Sequence, residues 1–600
     1  MTDETGARQI PLPLQRSMQD HLCFLYGRDQ CRRLWEQLEA ILRDFQARAP
    51  HRGARRAAAP LTERDAILIT YADQFREHGT EGSPKTPPLQ TLHELLTDTL
   101  HPPISGIHLL PFFPYSSDDG FSIINYTQVD PRMGTWADIG RLSRNYRLMF
   151  DAVINHVSRE SAWFQRFLAG DPDYADWFIT VEPDEPTDWI SKVVRPRARP
   201  LLTPVQTAKG ETLVWTTFSD DQIDLNFAHP PVLLKIIEIL LHYVEKGAEI
   251  IRLDAIAYLW KKIGTKCIHL EETHRIVKLF RYVLEAAAPG TILITETNVP
   301  HNENISYFGD GTDEAQMVYQ FPLAPLVMHS IISSNARTLS TWASRLQTPS
   351  DQTTFFNFTA SHDGIGIMPA RGLLGEAQVQ KLIDTTLKHG GRVSYRTDAN
   401  GSRSVYELNI SFFDALSDPH ADEPQATQVR RFMVSQAIML SLAGVPGIYV
   451  HSLIGSRSWQ EGIKITGRER TINREKLSRS QIERELADPN SLRRQVYDSY
   501  HRLLEVRSAN AAFHPQGTQR VLPLGESTFA LLRTSPIGEQ RVLCVHNVTE
   551  EVQSITLAPR NLGLAAKGRW QDLLSGDEYT GAGGGLVMDL PPYAVRWLAV

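Results

Sequence analysis

The chain has 600 residues, of which 42% are hydrophobic and 22% are charged, and its formal net charge is −7. This composition predicts a large globular protein, and so small a net charge over this length provides no basic field that would attract nucleic acid. No run approaches the roughly 18 apolar residues needed to span a bilayer, and the N-terminus lacks the profile of a signal peptide. We therefore expect a cytoplasmic protein that acts on a small molecule, with no nucleic-acid or membrane partner.

Residues 16–48 carry apolar side chains at helical spacing, and the following stretch ARAPHRGARRAAAP, residues 47–60, is typical of a linker. A nucleic-acid-binding arm is the alternative for this stretch, but the acidic whole favours a solvated tether. We expect residues 1–60 to form a helical extension and linker whose apolar face docks on the main body. The same extension could instead mediate dimerisation, so monomer and homodimer both stay open.

The four cysteines are too few and too scattered for a disulfide framework or a closed zinc site, which fits a reducing compartment. They are Cys23, Cys31, Cys267 and Cys544.

Eight short apolar runs alternate with helical stretches from about residue 65 onward. Alternating β and α units with continuous apolar strands predict a parallel sheet covered by helices, and eight units favour a closed (β/α)8 TIM barrel over an open sheet. The runs are DAILITYAD, ISGIHLLPFF, YRLMFDAVINH, AEIIRLDAI, TILITET, MVYQFPL, TTFFNFTASHD and GVPGIYVHS.

We expect this α/β barrel to occupy residues 61–514. Two connections are too long for simple loops, namely an insertion at 157–215 after the third strand and a mobile loop region at 364–425 after the seventh. Long excursions of this kind are usually binding elements or lids. Period-two segments beyond about 515 predict a C-terminal antiparallel β domain at 515–600.

The fourth run, EIIRLDAIAYLW, places Arg252 and Asp254 in an otherwise apolar strand. A structural ion pair is one interpretation, because buried charges are almost always partnered. A catalytic role is the other, because acidic residues also end neighbouring strands, and in a barrel the carboxyl ends of the strands converge on the face where active sites lie.

Asp254 and Glu296 end adjacent strands, where they could stand on either side of a glycosidic bond. A retaining mechanism needs a carboxylate nucleophile and a carboxylic acid about 5–5.5 Å apart. Arg252 lies on the same side of its strand as Asp254 and should favour the ionised nucleophile, whereas apolar neighbours should raise the pKa of Glu296 so that it keeps a proton to donate. The alternative for Glu296 is a structural or helix-capping acid.

Four short regions resemble those of the α-amylase clan, glycoside hydrolase family 13, in the expected order. The resemblance implies that Asp254 is the nucleophile, Glu296 the acid/base and Asp363 the residue that binds sugar hydroxyls. It further implies that Arg252 and His362 position the nucleophile and the glucosyl unit. The regions are DAVINH (151–156), IIRLDA (250–255), LITET (293–297) and ASHDG (360–364).

ILITYADQF, RPRARPLLTP, SHDGIGI and RTINRE resemble the sucrose phosphorylase branch of this clan. The branch implies that Asp73 and Arg474 clamp the glucosyl hydroxyls in a blind pocket. Tyr126 stands where the branch has a histidine, which puts this ring at the sugar-stacking position. Two further differences fall on the acceptor side and argue against fructose as the natural acceptor. Thr297 and Asn298 follow Glu296 where the branch has Val-His, and in the mobile loop Tyr406 and Glu407 stand where it has Tyr-Gln.

Within this branch the chain most resembles the glucosylglycerate phosphorylases, in the stretches SSDDGFSIINY, TTFSDDQIDLN, TETNVPHNENISYFGDG and LIGSRS. That resemblance implies a retaining phosphorylase that makes α-D-glucose 1-phosphate and D-glycerate, with Arg197 as the phosphate-binding residue. Three arginines of the loop GRVSYRTDANGSRS are candidate anchors for the glycerate carboxylate, although each could be only a solvated charge; we also expect Glu407 to pair with a loop arginine. They are Arg392, Arg396 and Arg403.

Neither a metal nor an organic cofactor follows from this chemistry. Asn155 occupies a position that calcium-binding amylases use for a ligand, but a hydrogen bond between strand end and loop is the simpler interpretation. The remaining alternatives are a sucrose, sucrose 6'-phosphate or glucosylglycerol phosphorylase, a hydrolase or transglucosidase of the same fold, and a non-catalytic amylase-like binding scaffold.

Overall fold

The computed structural model describes residues 9–49, 60–77, 86–196, 199–397, 403–558, 569–580 and 585–600. Most of the predicted linker and the predicted phosphate ligand Arg197 lie outside these ranges.

Eight parallel strands form a closed barrel in which every strand pairs with its neighbours in the sequence and the eighth pairs with the first. All eight predicted strands are confirmed, and with them the (β/α)8 barrel. The strands are β1 (Ile67–Thr70), β2 (Gly106–Leu109), β3 (Arg147–Ala152), β4 (Ala248–Leu253), β5 (Ile292–Thr295), β6 (Met317–Tyr319), β7 (Thr354–Asn357) and β8 (Val445–Tyr449).

The barrel strands are apolar on both faces because one face fills the interior and the other packs against helices. In β4, for example, Ile251 lies opposite Phe150 of β3 and Leu293 of β5, and all three side chains are fully buried. The helices that cover the barrel or lie in its connections are Pro88–Glu94, Trp136–Asn145, Pro230–Lys246, Glu271–Ala287, His301–Asn304, Leu323–Ile332, Arg337–Ala343, Gln425–Ser441, Val450–Leu453, Gln460–Thr466, Arg479–Ala487 and Leu492–Ser508.

The N-terminal extension is a hairpin of two helices, Leu12–Tyr26 and Arg28–Arg48, which break at Gly27 (φ 82°). The second helix buries Leu34, Leu38, Leu42 and Phe45, and the hairpin contacts helices Pro230–Lys246 and Glu271–Ala287. The predicted docking of the extension on the main body is confirmed.

The turn at Gly27 also brings Cys23 and Cys31 together, with their Cα atoms 4.7 Å apart, in a disulfide. The sequence analysis did not anticipate this bridge, because the reversal of the chain at Gly27 falls inside a stretch that is helical by its spacing.

Both long connections carry secondary structure. The first contains helix Ala162–Leu168 and an antiparallel sheet of Thr180–Val181, Gly210–Trp215 and Leu202–Thr207. Its two ends are joined by the antiparallel pair of His156–Ser158 with Gln222–Asp224. The second contains helices Glu376–Lys388 and Phe412–Leu416 and a sheet of Ile365–Gly366, Arg403–Asn409 and Arg392–Thr397. We call the last two strands the acceptor hairpin.

Antiparallel sheets follow the barrel at the C-terminus, as the period-two segments predicted. One sheet has the strand order Thr518–Leu522, Thr528–Thr534, Arg541–Asn547, Val595–Ala599, Arg569–Asp572 and Glu578–Thr580, and a second pairs Gln553–Leu557 with Leu586–Leu590. Across the described ranges, no helix combines the length and the apolar character that a membrane crossing requires.

Candidate active site

A cavity of about 740 Å³ opens at the carboxyl ends of the barrel strands. Asp254 follows β4, Glu296 follows β5 and Asp363 lies beyond β7, and all three side chains line this one cavity. The three acids, 109 residues apart in sequence from first to last, are thus brought together by barrel closure.

The charges of β4 belong to a buried network beneath the cavity. The guanidinium of Arg252 contacts Asp151 of β3, and its Nη1 donates to Asp254 Oδ1 at 2.7 Å. Asp151 also binds His108 Nε2 at 2.7 Å. Burial raises the pKa of Asp254, Arg252 opposes this shift and Asp151 adds to it, so the pKa lies above its usual value. Arg252 therefore lowers the pKa of Asp254, as expected, but burial has the larger effect and the net shift is upward.

Glu296 has a different environment from Asp254. Its Oε2 accepts the backbone N–H of Ala255 at 2.9 Å and lies 3.8 Å from Arg252 Nη2. Ala255 points its N–H at Glu296 from a left-handed turn (φ 48°), a conformation that is rare for a residue other than glycine. Burial, reinforced by the nearby carboxylates Asp254 and Asp363, raises the pKa of Glu296 to about 7 despite Arg252. Such a pKa suits a group that both donates and accepts a proton near neutral pH.

Asp363 is held in the ionised form. Burial alone would raise its pKa, but Arg470 Nη1 at 2.5 Å and Arg474 Nη2 at 3.6 Å from its Oδ1 hold the pKa well below its usual value. The preceding His362 stacks on the ring of Phe121, with 4.7 Å between centroids, and also lines the cavity. Burial lowers the pKa of His362 to about 3, so its imidazole is neutral at neutral pH.

Two predicted sugar-binding residues, Asp73 and Tyr126, do not line the cavity. The carboxylate of Asp73 is occupied by Lys476 Nζ and Arg76 Nη2, each at 2.6 Å. The hydroxyl of Tyr126 donates to the carbonyl of Val153 at 2.8 Å, and its ring is buried. Both side chains make bonds within the protein in this structure, and both stay predicted sugar-binding residues.

Arg474 lies at the mouth of the cavity, where its Nη1 contacts Asp119 Oδ2 at 2.7 Å and Asp118 Oδ1 at 3.6 Å. Asp118 also lines the cavity and is an acid beside Arg474 that was not predicted as a site residue. Phe121, from the same loop, supplies an aromatic wall of the cavity.

The loop SSDDGF, which holds Asp118 and Phe121, was the main omission of the sequence analysis. Asp118 and Asp119 both have positive φ, 54° and 50°, and this backbone aims their side chains at the cavity mouth. A cluster of Asp and Gly just after the second strand is the signal that could have revealed it. Other lining residues that were not predicted as site residues are His156, Phe218, Gln222, Tyr258 and Arg470.

The predicted acceptor residues Asn298, Tyr406 and Glu407 all line the cavity. Glu407 binds Arg470, a residue outside the loop that was not predicted as its partner. The cause is the path of the chain, since the helical turn Glu469–Asn473 passes beside the acceptor hairpin.

The three loop arginines lie in different environments. Arg392 donates to the carbonyls of Gly390 and Gly391, Arg396 donates to Ser404 Oγ at 3.2 Å, and Arg403 is exposed. None of the three lines the catalytic cavity.

A buried ammonium lies beside Asn155. Lys261 Nζ is 2.7 Å from both Asn155 Oδ1 and Asp224 Oδ2, and Asn155 Nδ2 donates to the same carboxylate at 3.0 Å. Asn155 thus makes the expected hydrogen bond between strand end and loop. Among the residues that the model covers, no group of three or more His, Cys, Asp or Glu side chains is arranged to hold a metal ion.

We expect Lys261→Met to lower the free energy of unfolding by about 3–5 kcal/mol, because it leaves a buried carboxylate without its cation. Lys262→Met is the matched control, because the Lys262 side chain is 61% exposed and its contact with Glu272 is long, at 3.4 Å. This substitution should change the free energy of unfolding by no more than about 0.5 kcal/mol. Denaturant unfolding measures both, and equal midpoints for the two variants would contradict the role given to Lys261.

The fold and the cavity together define a carbohydrate-active barrel enzyme with three acidic residues at its strand ends. Residues 101–379 match the model of the alpha amylase catalytic domain. A glucosylglycerate phosphorylase from Spirochaeta thermophila is 51% identical over 90% of this chain and 89% of its own length. Another, from Allomeiothermus silvanus, is 48% identical over 98% of both chains. The chain therefore belongs to the α-amylase family, glycoside hydrolase family 13, in the group of the glucosylglycerate phosphorylases.

The crystal structure of a sucrose 6F-phosphate phosphorylase from Thermoanaerobacter thermosaccharolyticum has the same fold. It superposes with a TM-score of 0.71 at 24% identity, over 88% of this chain and 99% of that one.

Proposed function

We propose that this chain is a retaining α-glucoside phosphorylase that converts glucosylglycerate and inorganic phosphate into α-D-glucose 1-phosphate and D-glycerate. The observation that carries the proposal is the shared cavity of Asp254 and Glu296, two carboxyl groups with different environments, in a chain about half identical to glucosylglycerate phosphorylases. A pure binding scaffold has no need for these environments.

The reaction has two displacements. Asp254 attacks the anomeric carbon as the bond to the glycerate oxygen breaks, and Glu296 gives its proton to that oxygen. The glucosyl unit is then a β-ester of Asp254. A phosphate oxygen attacks the same carbon from the vacated side, its proton passes to Glu296, and the Asp254 carboxylate is released. The two inversions leave the anomeric configuration unchanged.

The glucosyl unit is held by charged groups around Asp363. Asp363 and Asp118 accept hydrogen bonds from ring hydroxyls, while Arg474 at the mouth neutralises part of their charge. His362 stacks on Phe121 beside Asp363, and its Nδ1 makes no hydrogen bond to any protein group that the model describes. Arg252 positions Asp254 from below.

Glycerate is distinguished from other acceptors by one experiment. The enzyme is incubated with α-D-glucose 1-phosphate and, separately, glycerate, fructose, fructose 6-phosphate or glycerol, and released phosphate is measured. We expect glycerate to give the highest turnover. Strong release with fructose or fructose 6-phosphate and none with glycerate would overturn the substrate and favour a sucrose or sucrose 6'-phosphate phosphorylase, whereas glycerol as the best acceptor would favour a glucosylglycerol phosphorylase.

Arg197 stays a predicted phosphate ligand, as the branch resemblance implies. We expect Arg197→Ala to raise the KM for phosphate and to increase the ratio of hydrolysis to phosphorolysis, because phosphate must outcompete water for the glucosyl ester. Initial rates at varied phosphate concentration measure both quantities. An unchanged saturation curve would remove Arg197 from the site.

The proposal includes the expectation of a cytoplasmic enzyme acting on small molecules, as a monomer or a homodimer. We also propose that the barrel domain spans residues 61–514, between the N-terminal extension at 1–60 and the C-terminal β domain at 515–600.

A further inference from the structure

The catalytic cavity has a pronounced imbalance of charge. Its described lining includes five carboxylates and one cationic side chain, the guanidinium of Arg470. Any anion that enters the cavity is repelled by these acids unless it reaches a positive group. The five carboxylates belong to Asp118, Asp254, Glu296, Asp363 and Glu407.

Arg470 also lines the mouth, a second cavity of about 950 Å³ that shares Asp118, Phe218 and Gln222 with the first. It is the cationic residue that belongs to both described cavities, and it therefore stands at the boundary between donor pocket and solvent. An anionic acceptor occupies this boundary, since it must lie next to the anomeric carbon but outside the glucosyl pocket.

Glu407 occupies Arg470 in this structure. Its two carboxylate oxygens bind Arg470 Nε at 3.0 Å and Nη2 at 2.5 Å in a two-pronged contact. The remaining guanidinium nitrogen, Nη1, lies 2.5 Å from Asp363 Oδ1. A glycerate carboxylate and two oxygens of phosphate can each accept the same two-pronged contact from a guanidinium, so both fit the place of the Glu407 carboxylate.

The two partners lie on separate elements. Arg470 is in the helical turn Glu469–Asn473, and Glu407 is in the acceptor hairpin, where its strand pairs with Gly366 just beyond Asp363. The contact between them can therefore open by a displacement of the hairpin without any change in the barrel strands.

We propose that Arg470 is the anion-binding residue of the acceptor subsite, and that Glu407 holds its guanidinium until a glycerate carboxylate or phosphate replaces it. This inference rests on the proposed function. Glycerate leaves and phosphate enters on the same side of the glucosyl ester, so both anions meet the same guanidinium. Glu407 supplies the charge that Arg470 needs while no anion is bound.

Two variants test the inference. We expect Arg470→Lys to raise the KM for phosphate and the KM for glycerate together, each by about tenfold or more, because an ammonium cannot form the two-pronged contact. We expect Glu407→Gln to lower both KM values, by about threefold or more, because a neutral amide competes less well for the guanidinium. Arg468→Gln removes a positive charge from the same mouth without touching Glu407 or Asp363, and is the matched control.

The measurements are initial rates of phosphorolysis at varied phosphate and of synthesis from α-D-glucose 1-phosphate at varied glycerate. Thermal unfolding reports whether each variant is folded, and hydrolysis of α-glucosyl fluoride without phosphate reports whether its glucosyl pocket still works. Unchanged KM values in a folded Arg470→Lys, a shift for one anion alone, or higher KM values in Glu407→Gln would overturn the inference.

The wild-type enzyme separates this inference from the proposed function. If it hydrolyses α-glucosyl fluoride but makes no α-D-glucose 1-phosphate from glucosylglycerate, the proposed function fails. The quantity to measure is then the inhibition constant of phosphate for the hydrolysis of α-glucosyl fluoride. It should rise in Arg470→Lys and fall in Glu407→Gln, and equal values in all three proteins would overturn the anion subsite.

Discussion

Asp254→Asn is expected to reduce kcat for the phosphorolysis of glucosylglycerate by about 10⁴-fold or more, the scale of loss seen when a covalent nucleophile is removed. The amide is nearly the same size as the carboxylate and can still accept the hydrogen bond of Arg252, whose second partner Asp151 stays in place. The variant therefore keeps its fold but cannot form the glucosyl ester.

The measurement is kcat at saturating phosphate, with thermal unfolding to verify folding. Asp220→Asn is the control, because Asp220 lies at the mouth, is 68% exposed and pairs only at 3.4 Å with Arg199. More than about 1% residual activity in Asp254→Asn would contradict its role as the nucleophile. A binding scaffold, by contrast, would bind its ligand equally well with either residue.

Glu296→Gln should slow the cleavage of glucosylglycerate by about 10²–10⁴-fold, the range that general acid catalysis supplies. Glycerate is a poor leaving group and needs the proton of Glu296, whereas fluoride leaves from α-glucosyl fluoride without one. The loss should accordingly be much smaller for glucosyl transfer from the fluoride. Equal losses with the two donors would contradict the acid role.

The pH dependence tests the same residue independently. Because the pKa of Glu296 is about 7, the proton is present below this pH and lost above it. We expect kcat/KM for glucosylglycerate to fall as the pH rises through about 7, and this alkaline limb to disappear in Glu296→Gln. On the acid side activity falls as Asp254 is protonated, at a higher pH than for an ordinary Asp because burial raises its pKa. An alkaline limb that persists in the Gln variant would assign the titration to another group.

The sequence by itself determined the eight strands and the acids at their ends. Each strand is a continuous apolar run because it is buried on both faces, and this pattern is local. Parallel strands in a closed barrel bring all carboxyl ends to one face, so Asp254, Glu296 and Asp363 had to converge once the barrel was predicted.

Tertiary structure alone decided which polar side chains turn into the cavity. Asp73 follows β1, and its carboxylate pairs with Lys476, 403 residues away, a contact that its position in the sequence does not reveal. Asp118 reaches the site through a left-handed backbone that no periodicity reveals. Such pairings depend on loops from distant parts of the chain, where hydrogen bonds and ion pairs set the direction of each side chain.

The same reason explains the pairing of Glu407 with Arg470 and the disulfide of Cys23 with Cys31. Local sequence indicates that a charge or thiol is present, whereas its partner is decided by the path of the chain between the two. The upward shift in the pKa of Asp254 has this origin as well, because burial in the closed barrel outweighs the adjacent Arg252.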